Sequence, residues 1–197
     1  MKTEEKKWQR WLPWIITAIM GLWVISALGR AREKGEYDLD HFSKIPVLLE
    51  GRIQPFDSVA RNALLILRGK ASVLITDRPQ EELGFLEKAK LKKLTATEWL
   101  MEAMSRPQDA DTRHIFRIDN GEVLSLLKLS PGRKYFAFNE LRDGWEEVQK
   151  QAKRIHEAKI EEAAQTPFEK GAVKINFALG LYFRVKNSLR QIGRAHV

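Results

Sequence analysis

The chain has 197 residues, a formal net charge of +8, a pI near 9.7 and no cysteine. The missing cysteine excludes disulfides, thiolate catalysis and thiolate metal sites, without fixing a compartment. The excess positive charge suits anionic partners, yet acidic and basic residues are interspersed. No zinc-finger spacing, RNA-binding aromatic signature or basic region ahead of heptads is present, so nucleic acid is not an expected partner.

Residues 1–10 form a charged head. Trp11 to Gly29 then runs without a charged residue and is about as long as a helix crossing a hydrocarbon core of roughly 30 Å. This pattern predicts a transmembrane helix over 11–29, with Trp8, Trp11 and Trp14 at one boundary and Arg30 and Arg32 at the other. Pro13 falls in the first turn, where its missing amide costs little. Ala27-Leu28-Gly29 is a small-x-small site that leaves a cleaved signal peptide as an alternative, although the apolar run exceeds the roughly 7–15 residues of a signal core. Basic residues flank both ends, so charge leaves the orientation open. A linker, Ala31 to Asp38, leads to one domain's length of chain.

Ile45 to Lys70 is the densest segment. Gly51 suits positive φ, and Pro55 pushes Gln54 toward an extended conformation, so a bend is expected here. Asp57 or Ser58 is placed to cap a helix whose apolar face is Val59, Ala63, Leu64, Ile66 and Leu67, ending at Gly69. Arg52 and Arg61 are candidate carboxylate clamps; pairing with Asp57 and docking to a partner compete with that role.

Further along, Val73-Leu74-Ile75 reads as a short strand and Glu81 to Leu94 as a helix. Thr95-Ala96-Thr97-Glu98 is a capping box opening a helix that packs through Trp99, Leu100, Ala103 and Met104 and stops before Pro107. His114 to Ile118 reads as a strand whose natural partner is Tyr135 to Phe138, and Asp119 to Glu122 resembles a cap. Two helices follow, Glu140 to Gln165 and Phe168 to Leu189, the second with a stripe of Val173, Phe177, Leu181 and Val185. Lys150 to Glu162 is charge-rich, a solvated face or a binding stripe. Residues 191–197, QIGRAHV, match the in-frame translation of a common sequencing adapter and are expected to be an artefact.

The expected fold is therefore mainly α with a small two-stranded β element, a single N-terminal transmembrane helix and a helical region over 30–190. No P-loop, G-x-S-x-G elbow, H-E-x-x-H or dinucleotide fingerprint occurs. His41, His114 and His156 show no paired ligand spacing, and adjacent glutamates such as Glu146-Glu147 point apart on a helix. Neither catalytic nor metal-binding residues are assigned.

The run Gly51-Arg52-Ile53-Gln54-Pro55-Phe56-Asp57-Ser58-Val59-Ala60-Arg61 after IPVL resembles the segment that follows the first span of cytochrome c biogenesis proteins of the CcsA/ResC type. Leu94 to Leu100, Ile115 to Asn120 and Phe136 to Leu141 match in the same order, so the likeness covers nearly all of the chain after residue 30. Gly51, Arg52, Pro55, Asp57, Ser58, Ala60 and Arg61 carry the motif. The resemblance implies an inner-membrane protein with its N-terminus (1–10) cytoplasmic and its remainder extracytoplasmic. It implies delivery or attachment of heme to apocytochrome c beside another membrane-bound assembly component, with the lipid bilayer as a further partner. Heme would be the cofactor of the complete protein, which would act as part of a cytochrome c heme lyase. Arg52 and Arg61 would be propionate or docking candidates. The family's tryptophan-rich W-G-x-x-W-x-W-D segment is absent, and Trp99 and Trp145 stand alone, so strong heme binding by this chain is not expected. A structural or protein-interaction domain without heme function is the alternative.

Overall fold

The computed structural model describes residues 7–28, 38–49, 51–76 and 78–194, and it divides into two units, residues 1–38 and 39–197. In the first unit the described element is α1 (Lys7–Leu28), which accommodates Pro13 near its start.

The second unit opens with α2 (Leu39–Phe42) and the antiparallel pair β1 (Pro46–Leu49) and β2 (Arg52–Pro55), in register Leu49↔Arg52 through Pro46↔Pro55. The strands turn at Gly51, whose φ of +77° is the left-handed conformation that glycine adopts without a Cβ penalty. A Cβ there would meet nothing within 4 Å, so Gly51→Ala tests the backbone alone. It is expected to cost about 1–2 kcal/mol in urea unfolding; Gly51→Asn, better tolerated at positive φ, should cost less.

α3 (Phe56–Arg68) follows at once. Its first amides are satisfied by backbone: Phe56 N donates to Ile45 O at 2.9 Å and Asp57 N to Ser43 O at 2.9 Å. Pro55, with no amide to lose, is the N-cap residue, and no side chain caps the helix. Gly69 closes it at φ +70°, donating to Leu65 O. Then come β3 (Ser72–Leu74), α4 (Phe85–Lys90), β4 (Lys93–Thr95), α5 (Ala96–Ser105) and α6 (Pro107–Ala110). β3 and β4 pair antiparallel, Val73 opposite Leu94. The capping box of α5 forms: Thr95 Oγ1 accepts from Glu98 N at 3.3 Å and Glu98 Oε2 from Thr95 N at 2.6 Å. β5 (Phe116–Arg117), α7 (Gly121–Leu126), β6 (Tyr135–Phe136), α8 (Phe138–Leu141), α9 (Trp145–Glu157) and α10 (Pro167–Arg194) complete the order, with β5 and β6 a third antiparallel pair.

The core forms where α3, α5 and α10 pack together. Leu64, Leu67, Trp99, Phe116, Phe136, Leu141, Leu179 and Tyr182 are almost wholly buried in it. Phe116 and Phe138 flank the Tyr182 ring with centroids at 5.5 and 5.3 Å. Tyr182 Oη donates to Asp111 Oδ1 at 2.9 Å, and Lys186 Nζ reaches Asp111 Oδ2 at 2.5 Å, fastening α10 to the end of α6. Burial, reinforced by the Asp111 charge, pushes the Tyr182 phenol up, so it remains a donor.

The expected fold class and localisation require correction. Among the described residues no helix is long and apolar enough to cross a membrane. Pro13, Thr17 and three tryptophans interrupt the aliphatic residues of the run. The transmembrane helix and the single-pass inner-membrane placement built on it are withdrawn. The chain is mainly helical with three small antiparallel strand pairs, where one had been expected. The linker over 31–37 and the terminal residues 1–6 and 195–197 lie outside the described residues, so the readings placed there have no structural counterpart; 191–194 continue the backbone of α10.

Two helices also differ. Glu81 to Leu94 is helical only from Phe85 to Lys90, because a turn follows Pro79 and Leu94 is taken by the ladder with Val73. Glu140 to Gln165 breaks into α8, a 3₁₀ turn at Arg142–Gly144, α9 and a second 3₁₀ turn. Gly144 sits against Leu127, where an added Cβ would lie 2.6 Å from Cδ2.

Candidate functional site

The family-like motif builds one side of an open groove. Strand alternation sends Val47 and Leu49 to one face of the β1–β2 pair, and their register partners Gln54 and Arg52 go to the same face. All four line the groove. α3 contributes Val59, Asn62, Ala63 and Ile66, at the i, i+3, i+4, i+7 spacing that shares one helix face. Leu100 and Met104 of α5 also line it, and Phe177, Leu181, Arg184, Val185 and Ser188 of α10 form the opposite side. The groove has a volume of about 1150 Å³. Leu65, Ile66 and Phe177 keep 50%, 40% and 53% of their surface exposed, an apolar concentration that a surface rarely carries without use.

The motif arginines have separate roles. Arg61 Nε donates to Asp57 Oδ2 at 2.5 Å across one helical turn, while Thr97 Oγ1 donates to Asp57 Oδ1 at 2.9 Å and ties α3 to α5. Arg61 is thus committed to a local pair and does not line the groove. Arg52 lines it, and among the described residues neither Arg52 nor Arg184 meets a carboxylate. Ala60 is fully buried, Ser58 is half-buried in the first turn beside Asp57, and neither Ser58 nor Asp57 is the N-cap. Gly51 and Pro55 shape the turn and the helix entry, so the motif residues set backbone geometry more than they present chemistry.

Heme is the cofactor the resemblance implies. The groove offers apolar walls and arginines suited to carboxylates, but no histidine, cysteine or tyrosine lines it, and Met104 is its one soft donor. Among the described residues no cluster of three His, Cys, Asp or Glu side chains could hold a metal. His41 and His156 are exposed and His114 is buried elsewhere. These residues do not fit a ligated heme in the groove.

A second polar assembly was missed in the sequence. Arg68, 2% exposed at the end of α3, donates through Nη2 to Gln80 Oε1 at 2.5 Å and through Nη1 to Ser72 O, and stacks over Tyr135 at 5.1 Å. Glu81 Oε1 accepts from the amides of Lys134 and Tyr135, and Arg133 grips Glu140 bidentately at 2.7 and 3.2 Å. His114 Nε2 lies 3.9 Å from Glu140 Oε2. Arg68 Nε, Gln80 Nε2, Glu81 Oε2, His114 Nδ1 and Arg133 Nε are buried with no hydrogen-bond partner among the described residues. Burial lowers the Arg68 pKa, partly opposed by Tyr135 and Glu81. Burial also pushes His114 below 6.5; Glu140 and Glu81 oppose that shift, while Arg133 and Arg68 favour it.

His114 therefore stays neutral in the folded chain at a pH where the unfolded chain takes up a proton. Its contribution to stability is present above about pH 6.5 and is lost as pH falls toward the depressed folded value. Urea midpoints are expected to decline between pH 7 and 5, and His114→Gln should flatten that slope. Glu87 and Glu169, lowered from 4.5 chiefly by backbone hydrogen bonds, act at lower pH and leave this window to the histidine. An unchanged slope in the variant would contradict the assignment.

α9 presents the charge-rich face. Val148, Ala152 and Ile155 are buried, while Lys150 pairs with Glu146 at 3.3 Å and Lys153 with Glu157 at 3.6 Å on the exposed side. That arrangement is a solvated face with local pairs. No protein-family model and no curated protein matches the chain.

Proposed function

We propose that the chain is a docking module in cytochrome c maturation, one that engages apocytochrome c or a second assembly component and does not catalyse alone. The observation that carries this reading is the open apolar groove, whose one side is built from the motif Gly51 to Arg61 that resembles cytochrome c biogenesis proteins. Another matching segment, Leu94 to Leu100, supplies β4, the start of α5 and the groove residue Leu100. Ile115 to Asn120 and Phe136 to Leu141 supply β5, the Phe136 position of β6 and core residues such as Ile115, Phe138 and Leu141. On this reading heme is handled by groups outside the groove, in a complete heme lyase of which this module is a part.

A second reading, an interaction domain without heme function, is favoured by the donor set of the groove, which lacks the usual axial ligands. Removing the gene in its native host separates the two. Loss of covalently bound heme c on peroxidase-stained gels, with b-type heme unchanged and restoration by the intact gene, supports the maturation reading. Unchanged heme c overturns it.

A further inference from the structure

We infer that the groove between the β1–β2 pair, α3 and α10 receives an acidic amphipathic helix of about three turns from a partner protein. This rests on the reading of the groove as a docking surface, though not on its link to cytochrome c.

Length is the first argument. The α10 side runs from Phe177 to Ser188, a rise of about 16 Å at 1.5 Å per residue, which matches three turns of a helix laid alongside. Chemistry of the lining is the second. Apolar side chains from β1, α3, α5 and α10 face the space, so an occupant that presents a stripe at i, i+3 or i+4, and i+7 would meet apolar surface along its length. Charge is the third. The charged residues of the lining are Arg52 on the strand side and Arg184 on the α10 side, and no Asp or Glu lines the groove. Two cations without carboxylate partners among the described residues complement acids on the flanks of an apolar stripe, and such pairs set partner choice and register. The groove is open to solvent and, at about 1150 Å³, lies above the usual range for a small-molecule pocket, which favours a helix over a small amphiphile.

The full chain can be challenged with a displayed library of helical 15-residue peptides randomised at apolar-stripe and flanking positions. Enrichment of an apolar stripe with Asp or Glu on both flanks is expected. A selected peptide, made with a fluorescent label, should lose at least tenfold in affinity to the Arg52→Glu/Arg184→Glu chain and to Ile66→Asp, with melting curves of both variants unchanged. The same peptide with lysine flanks should prefer the charge-reversed chain. No enrichment, enrichment indifferent to charge, or affinity unmoved by charge reversal would overturn the inference. Self-association of the chain that Ile66→Asp abolishes would overturn it too, by assigning the groove to a second copy. None of these outcomes depends on cytochrome c yield, so failure here is distinguishable from failure of the maturation reading.

Discussion

Asp111→Ala is expected to destabilise the chain by about 3–5 kcal/mol in urea unfolding, the cost of leaving one member of a buried ion pair uncompensated. Asp111 and Lys186 keep only 13% and 17% of their side-chain surface, so solvent does little to replace the lost partner. Lys186 Nζ also lies 4.8 Å from the centroid of the Phe138 ring, and Tyr182 Oη would lose its acceptor. Asp111→Asn retains an acceptor for Tyr182 while removing the charge, so its loss should be smaller. Lys186→Met leaves Asp111 still bonded to Tyr182. Combining Asp111→Asn with Lys186→Met should cost less than the sum of the two single changes, since neutralising both partners removes the uncompensated charge. Strict additivity would show that the pair is not coupled. Because α10 forms one side of the groove, slack in this tie should also weaken any ligand held there.

Trp99→Ala carries the other large expected effect, about 3–5 kcal/mol, from lost transfer energy and the cavity left behind. Trp99 is fully buried on α5, in the core that also holds Leu64 and Leu67 of α3 and Leu179 of α10. Its indole Nε1 has no hydrogen-bond partner among the described residues. Trp99→Phe should therefore be milder than its loss of volume suggests, because it also removes an unpaired buried donor. With a native stability of 5–15 kcal/mol typical of domains, the alanine variant should be close to unfolding. A loss below about 1 kcal/mol would mean that Trp99 does not hold α5 in the core. Thermal melts read with urea midpoints decide between these outcomes.

Local signals were legible in the sequence where one residue decides a backbone state. Gly51, Pro55 and Gly69 mark the turn, the entry and the end of α3, and Thr95 with Glu98 marks the start of α5. Helical period located a face on α10 but not its neighbour. Val173, Phe177, Leu181 and Val185 form one stripe by spacing, yet the deepest positions are Ala172, Ile175, Ala178, Leu179 and Tyr182, on an adjoining face. The stripe stands at the edge of the core, where Phe177, Leu181 and Val185 line the groove. Spacing cannot weigh two small alanines and a hydrogen-bonded tyrosine against larger apolar residues.

Long-range polar ties left no local trace. Asp111 and Tyr182 lie 71 positions apart, and Glu81 meets the amide of Lys134 over 53. The buried guanidinium of Arg68 looks, in sequence, like an ordinary basic residue closing a helix. The Glu81 to Leu94 region misled for a related reason: its apolar residues suit a helix locally, but Leu94 is claimed by a strand formed with Val73. Tertiary pairing overrode the local period.

If the groove serves cytochrome c maturation as a docking surface, as proposed, covalent heme c content should fall in the native host carrying Ile66→Asp together with Arg184→Glu, both at exposed positions, with accumulation of the chain checked by immunoblot. Heme c reduced at least tenfold while the chain accumulates normally is the expected result. Normal heme c at normal chain levels would contradict the account.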